Sequence, residues 1–288
     1  MHYIKLLILF ITFIFLTAYP QDDKKKVEEI FDTQASQEEG FFKLTFPRTD
    51  LNVKIDNISL EPGFAFTSWI AFHPMEHTTM IMGDLVLLEK EIGKVVKKLK
   101  ENDINITALH NHVINENPPV MYMHFAASGN AVDLARKMKE VISLTGTPLG
   151  KKESIGEKEV KPDWSVVEKI LGKEGNKKSK LISFGFPRKE TVLENGQPLP
   201  KTMGISTAVI FQMAGDKAVV TGDYVMTAGE VNDVIKSLTN HNITITALHN
   251  HMINEEPRLF FMHFWGHADP DALAKGIKAA LEKTNSVY

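Results

Sequence analysis

Apolar positions along this chain change period in an order that occurs twice. Runs over 41–47, 64–72 and 79–88 are dense in Phe, Ile, Val and Leu and bounded by turn formers, which predicts strands, with a short further strand at 51–55. The period then becomes helical over 89–101, where Ile92, Val95, Val96 and Leu99 fall on one face. Two more strand-like runs, ITALHNH and VMYMHF, flank the turn-forming INENPP. Helices near 27 and 130–143 open and close the unit.

Displaced by 139 residues, Gly83 and Asp84 fall on Gly222 and Asp223, and Val95, Val96 and Leu99 fall on Val234, Ile235 and Leu238. Upstream the shift is 140, so LTFPR at 44–48 matches FGFPR at 184–188. In the second copy Thr227 and Glu230 suggest a capping box, and Asp269-Pro270 a cap with proline at the first helical position. The expected fold class is α+β: two tandem copies of a two-layer unit, each a mostly antiparallel sheet packed by helices. The boundaries expected are a signal peptide over 1–19, a charged linker over 20–26, one repeat over 27–144, a Gly/Lys/Glu/Pro-rich linker over 145–164 and the second repeat over 165–288.

Composition narrows the function classes. With 288 residues, 43% hydrophobic, each repeat can bury a real core. A net charge of −3 gives no basic field for nucleic acid. The absence of cysteine removes disulfides, thiolate ligands, a cysteine nucleophile and a cysteine-linked lipid anchor. Residues 6–19 form an apolar stretch after Lys5, shorter than the roughly 20 residues that span a bilayer, so export with no transmembrane span in the mature chain is expected.

The candidate chemistry lies in ALHNHVINENPPVMYMHF (108–125) and ALHNHMINEEPRLFFMHF (247–264), which share 12 of 18 positions. By contrast, the strands at 68–80 and 207–219 share only Phe72/Phe211. A hydrophobic hairpin tolerates volume-preserving swaps, so such retention asks for more than packing. Two histidines two apart on a strand share a face. A turn centred near Asn117 sets His110 opposite His124, so that His110, His112 and His124 converge, as do His249, His251 and His263 in the second copy. Asn111 and Asn250 then face away.

Three readings of these trios stay open. They hold a metal, zinc or copper, with Glu116 or Glu255 from the turn as ligand or base, as in a metal-dependent hydrolase using activated water. They contact a small-molecule ligand without metal. Or they are hydrogen-bonded core groups of a non-catalytic envelope binding or structural module. Met121, Met123 and Met262 would favour copper if their sulfurs reached the site, but Met123 and Met262 directly precede a histidine and should point away. Weaker ligand-binding candidates are Arg48 and Arg188, suited to a carboxylate within the fold or on a ligand, together with Asp84, Asp223 and Trp265. His73, Glu76 and His77 lie on a turn without counterparts in Gln212, Gly215 and Asp216, and His267 is unique to the second copy.

FPR (46–48, 186–188), GD (83–84, 222–223), TALHNH (107–112, 246–251) and MHF (123–125, 262–264) together resemble the LppY/LpqO family, named for mycobacterial probable lipoproteins. ILGKEG at 170–175 and LAKGIKAALEKT at 273–284 fit as well. The resemblance implies an exported bacterial domain of unknown function. A lipoprotein anchor does not carry over, because no lipobox cysteine is present.

Overall fold

The computed structural model describes residues 21–150 and 162–288; the expected signal peptide and the middle of the 145–164 linker lie outside the described residues. The first repeat runs α1 (Gln21–Phe31), β1 (Ser36–Glu38), β2 (Phe41–Pro47), β3 (Lys54–Ile55), β4 (Ile58–Ser59), α2 (Pro62–Ala65), β5 (Thr67–Pro74), β6 (Thr79–Leu88), α3 (Glu89–Glu101), β7 (Asn105–His110), β8 (Glu116–Asn117), β9 (Val120–Gly129) and α4 (Ala131–Ile142). The second repeats this with α5 (Ser165–Leu171), β10 (Asn176–Lys178), β11 (Leu181–Pro187), β12 (Leu193–Glu194), β13 (Gln197–Pro198), β14 (Ser206–Ala214), β15 (Lys217–Met226), α6 (Val231–Thr239), β16 (Thr244–His249), β17 (Glu255–Glu256), β18 (Phe260–Ala268) and α7 (Pro270–Leu281). Each repeat builds an antiparallel six-stranded sheet, ordered β1-β2-β5-β6-β9-β7 and β10-β11-β14-β15-β18-β16, so the chain is two tandem copies of one α+β unit. Among the described residues no helix is long and apolar enough to cross a membrane.

Strand alternation gives each sheet two jobs. On β6, Ile81, Leu85 and Leu87 pack with Val95, Leu99 and Met138 under the helices. Met82, Asp84 and Val86 take the opposite face, toward the other repeat. There the repeats trade segments. Phe64 on α2 meets Trp265 edge-on, 6.0 Å between ring centroids, while Leu199, Met203 and Ile205 pack with Phe41, Ala71 and Met82. Trp265 is thus an interface residue. Gly83 and Gly222 are required by sheet closeness: a β-carbon on either would run into a neighbouring strand's carbonyl, Trp69 or Ala208, and a phenylalanine ring.

Some local expectations are corrected. The 20–26 linker is helical from Gln21, because Lys24–Glu28, Lys25–Glu29 and Lys26–Asp22 place opposite charges four apart. The end of the second linker is core: Trp164 is buried against Phe211. Glu230 does accept from Thr227 N–H, but α6 begins only at Val231. Asp269 precedes the proline-started α7 without a side-chain cap bond.

Arg48 and Arg188 take up the internal alternative, each guanidinium being committed to carboxylates within its own repeat. Arg48, fully buried, binds Asp50 and Glu91 and donates to the Val86 carbonyl; Arg188 does the same with Glu190, Glu230 and the Val225 carbonyl. Each clasp ties a strand end to the start of the following helix. Although burial opposes it, the Arg188 hydrogen bonds hold the Glu190 carboxyl down at about 2.

Candidate metal centre

The histidine hairpins sit on the face opposite the helices, and a bulge puts them there. Ile106 pairs with Phe125 on the helix side, yet Ala108 pairs with His124 on the other, the register shifting between them; Ile245/Ala247 repeats this in the second copy. The expected pairing of His110 with His124 is corrected by two residues: His110 pairs with Tyr122 and His249 with Phe261. Pro118, Pro119 and Pro257 cannot donate to a ladder, and the chain there forms the separate small strands β8 and β17. A slip of two keeps the face, so convergence survives. His112 and His251 lie just beyond their strand ends.

The two trios meet as one cluster. His110 stacks on His249 at 3.5 Å between centroids, and His112 on His263 and His124 on His251 at 3.8 Å. Within the trios, His110 lies 5.2 and 5.0 Å from His112 and His124, and His249 lies 5.0 and 4.8 Å from His251 and His263. One ligand atom from each of His110, His249, His251 and His263 falls within 4.8 Å of all the others.

Asn111 and Asn250 fix the seam. Each donates across it, to the carbonyls of Thr246 and Thr107 at 3.0 Å, while the Thr107 and Thr246 hydroxyls donate to the carbonyls of His251 and His112. The side chains expected to face away from the histidines are the ones that bring the trios together.

The ring nitrogens carry the chemistry. The Nδ1 atoms of His110, His249 and His263 meet the carbonyls of Asn111, Asn250 and Gly222 at 3.1, 3.1 and 2.7 Å. A carbonyl only accepts, so these Nδ1 atoms carry the proton and each Nε2 keeps a free lone pair. The Nε2 atoms of all six histidines are buried and none makes a well-aligned hydrogen bond, nor does one oxygen each of Asp84 and Asp223. Burial, reinforced for most of them by neighbouring imidazoles, holds the histidines unprotonated; His263 is pushed down to about 3. Burial first, and then the proximity of Asp223, pushes Asp84 up to about 8; burial also raises Asp223. Asp223 reaches His251 Nε2 at 3.1 Å, and Asp84 reaches those of His112 and His124 at 3.7 and 4.0 Å. Period two along GD strands could have aimed these carboxylates; Tyr122 and Phe261, stacked on His112 and His251 at 3.3 and 3.6 Å, were missed although each stands two before a histidine.

Other candidates lie elsewhere. Glu116 accepts from Val120 N–H, and Glu255 pairs with Arg258 and accepts from Leu259 N–H, so both turn glutamates brace their own turns and are corrected as base or ligand candidates. Met123 and Met262 are buried on the helix side. His73 bonds the Gly40 carbonyl at 2.7 Å, and Glu76 and His77 are exposed. A cavity of about 530 Å³ opens beside the cluster, lined at one end by Asp84, Asp223, His112, His124, His251 and His263.

A trimeric bacterial microcompartment shell protein, PduB, is similar over 86% of this chain and 88% of its own, at 9% sequence identity and a TM-score of 0.25, too low to carry an argument. No curated protein matches the sequence. Residues 25–144 and 165–283 each match the family model DUF1529, described as Domain of Unknown Function (DUF1259). The chain therefore belongs to this family of unknown function, as a tandem pair of its domains.

Proposed function

We propose that this chain is an exported protein that holds a transition-metal ion where its two repeats meet, and that the LppY/LpqO-like repeat is a half-site completed by its duplicate. The observation that carries the reading is the set of six buried Nε2 atoms, five of them with no polar partner within hydrogen-bond distance and that of His251 facing only Asp223; four of these histidines bring ligand atoms within 4.8 Å of one another. A buried acceptor left unsatisfied costs about 1–3 kcal/mol, so five together are a heavy burden on a fold. Core histidines kept for packing satisfy both nitrogens; in His110, His249 and His263 one nitrogen is anchored by backbone and the other left bare, the arrangement that orients an imidazole toward a metal. A structural metal contributes on the order of 10 kcal/mol to folding, enough to offset those orphans.

The donors are imidazole nitrogen and carboxylate oxygen, without thiolate, which suits zinc, with copper the next choice. His110, His249, His251 and His263 form the tight set, with Asp223 beside His251. Any carboxylate acting as a base at the metal is Asp84 or Asp223.

The test is elemental analysis of full-length protein purified without a metal-affinity tag. At least one equivalent of zinc or copper per chain is expected, lost in the His110→Ala/His249→Ala variant. Metal-free protein whose melting is unmoved by added zinc or copper defeats the reading.

A further inference from the structure

The cavity beside the histidines has a composition of its own. Its walls include Phe41, Phe64, Trp69 and Met203, of which all but Trp69 are buried. Toward solvent it carries two cations, Lys43 and Lys173. The Lys43 ammonium lies 6.0 Å from the Trp69 ring centroid, and that of Lys173 lies 5.2 Å from Phe186 while donating to the Gly185 carbonyl. Among the described lining residues the only carboxylates are Asp84 and Asp223, at the histidine end. The cavity therefore runs from a donor-rich inner end, past aromatic walls, to a cationic rim.

We propose that this cavity binds a small aromatic carboxylic acid, its ring against Phe41, Phe64 and Trp69, its carboxylate at Lys43 and Lys173, and an oxygen substituent facing the metal. The inference rests on the metal reading for the inner end only. Flat aromatic walls select a ring over a flexible chain, because offset and edge-on ring contacts add to simple burial. About 530 Å³ lies within the usual range for small-molecule sites and admits a one- or two-ring ligand. Gly204 keeps the Trp69 side open: its φ is +72°, and a β-carbon there would stand 3.3 Å from the Trp69 ring. A carboxylate gains charge-assisted contacts at the two rim ammoniums that a neutral ligand does not make, and a cationic ligand would be repelled by them.

The experiment titrates 4-hydroxybenzoate, benzoate and phenol into zinc-loaded and chelator-treated full-length protein, read by calorimetry. With zinc, 4-hydroxybenzoate is expected to bind at least tenfold tighter than phenol. Lys43→Glu/Lys173→Glu should abolish that preference while leaving phenol binding and zinc content unchanged. Ala208→Phe, which fills the cavity from a strand position that holds no donor, should remove binding of all three ligands and retain zinc. Equal binding of acid and phenol, or indifference to the charge reversal, overturns the proposal. If the protein carries no metal yet binds the acid in a lysine-dependent way, the metal reading fails and the aromatic-acid site stands. If zinc binds and no acid does, the reverse holds.

Discussion

Asp84 and Asp223 hold matching places in the two repeats, yet their surroundings differ. The Asp84 side chain is 6% exposed and its carboxylate stands 3.7 Å from the nearest imidazole nitrogen; that of Asp223 is 17% exposed and stands at 3.1 Å. The tight four-histidine set follows the same bias, taking three residues from the second repeat and one from the first. Two copies of one unit thus contribute unequally to the histidine cluster. The second repeat's half is closer to holding an ion, while Asp84, His112 and His124 complete the wall of the cavity. The arginine clasps show the opposite bias: Glu91 is 4% exposed against 16% for Glu230, so the first repeat's clasp is the drier one.

The largest expected effect breaks the clasp comparison. Arg48→Ala strands Glu91 in a buried place and should cost about 3–5 kcal/mol, as removal of one partner of a buried ion pair does. Arg188→Ala leaves better-hydrated carboxylates and should cost less. Urea unfolding of both variants measures the gap, and a larger loss for Arg188→Ala would reverse the ranking of the clasps.

Next comes the bias of the histidine cluster. His251→Ala removes a direct donor of the tight set and should weaken zinc binding by more than the 10–100-fold typical of losing an outer partner. His112→Ala, outside that set, should stay within that range. Competition with a chromophoric chelator gives both affinities. Equal losses would mean that the ion sits midway between the repeats.

The carboxylate difference has a signature in pH. In chelator-treated protein His263 stays neutral down to about 3, whereas unfolded histidine protonates near 6.5, so its contribution is complete above 6.5 and is lost as pH falls through that window. Asp84 runs the other way: with its folded value raised from 3.8 to about 8, the associated stability is full below 3.8 and is lost as pH rises through 8. Each such group changes stability by at most about 1.4 kcal/mol per pH unit within its window. Melting should therefore worsen on the acid side below pH 6.5, where six imidazoles outweigh two carboxyls. Asp84→Asn should remove the alkaline decline. Asp223→Asn is expected to do so less, because the Met262 backbone N–H favours the charged form of Asp223 and no such bond acts on Asp84. Identical alkaline profiles for the two variants would erase the distinction.

Particular residues mark what the sequence could reveal. Uneven divergence between copies pointed to the histidines, and period-two alternation put His124 and His263 on the correct face. What stayed hidden depends on contacts between distant segments. The bulges at Ile106/Ala108 and Ile245/Ala247 and the two-residue slip follow from how β7 and β16 enter their sheets, which no local pattern encodes. Glu116 and Glu255 looked like site residues because they neighbour histidines in sequence, but the prolines turn the chain away and leave them bracing the turn. Exchange of α2 and the 199–205 segment creates the cavity from pieces of both repeats, so neither copy read alone contains it.

The smallest effect concerns the seam, where the copies agree most closely. Asn111 donates to the Val113 and Thr246 carbonyls, and Asn250 to those of Met252 and Thr107, so each amide serves its own loop and crosses the join once. Losing an ordinary hydrogen bond costs about 0.5–1.5 kcal/mol, so Asn111→Ala and Asn250→Ala should each cost about 1–3 kcal/mol and match one another. Because both act on the same β7–β16 contact, the double variant should depart from additivity by about 0.5 kcal/mol or more. Additive losses would mean that the two amides only brace their own loops. Coupling without a change in zinc affinity would separate the join from the metal. Coupling with weakened zinc binding would show that holding the repeats together is what holds the histidines in place.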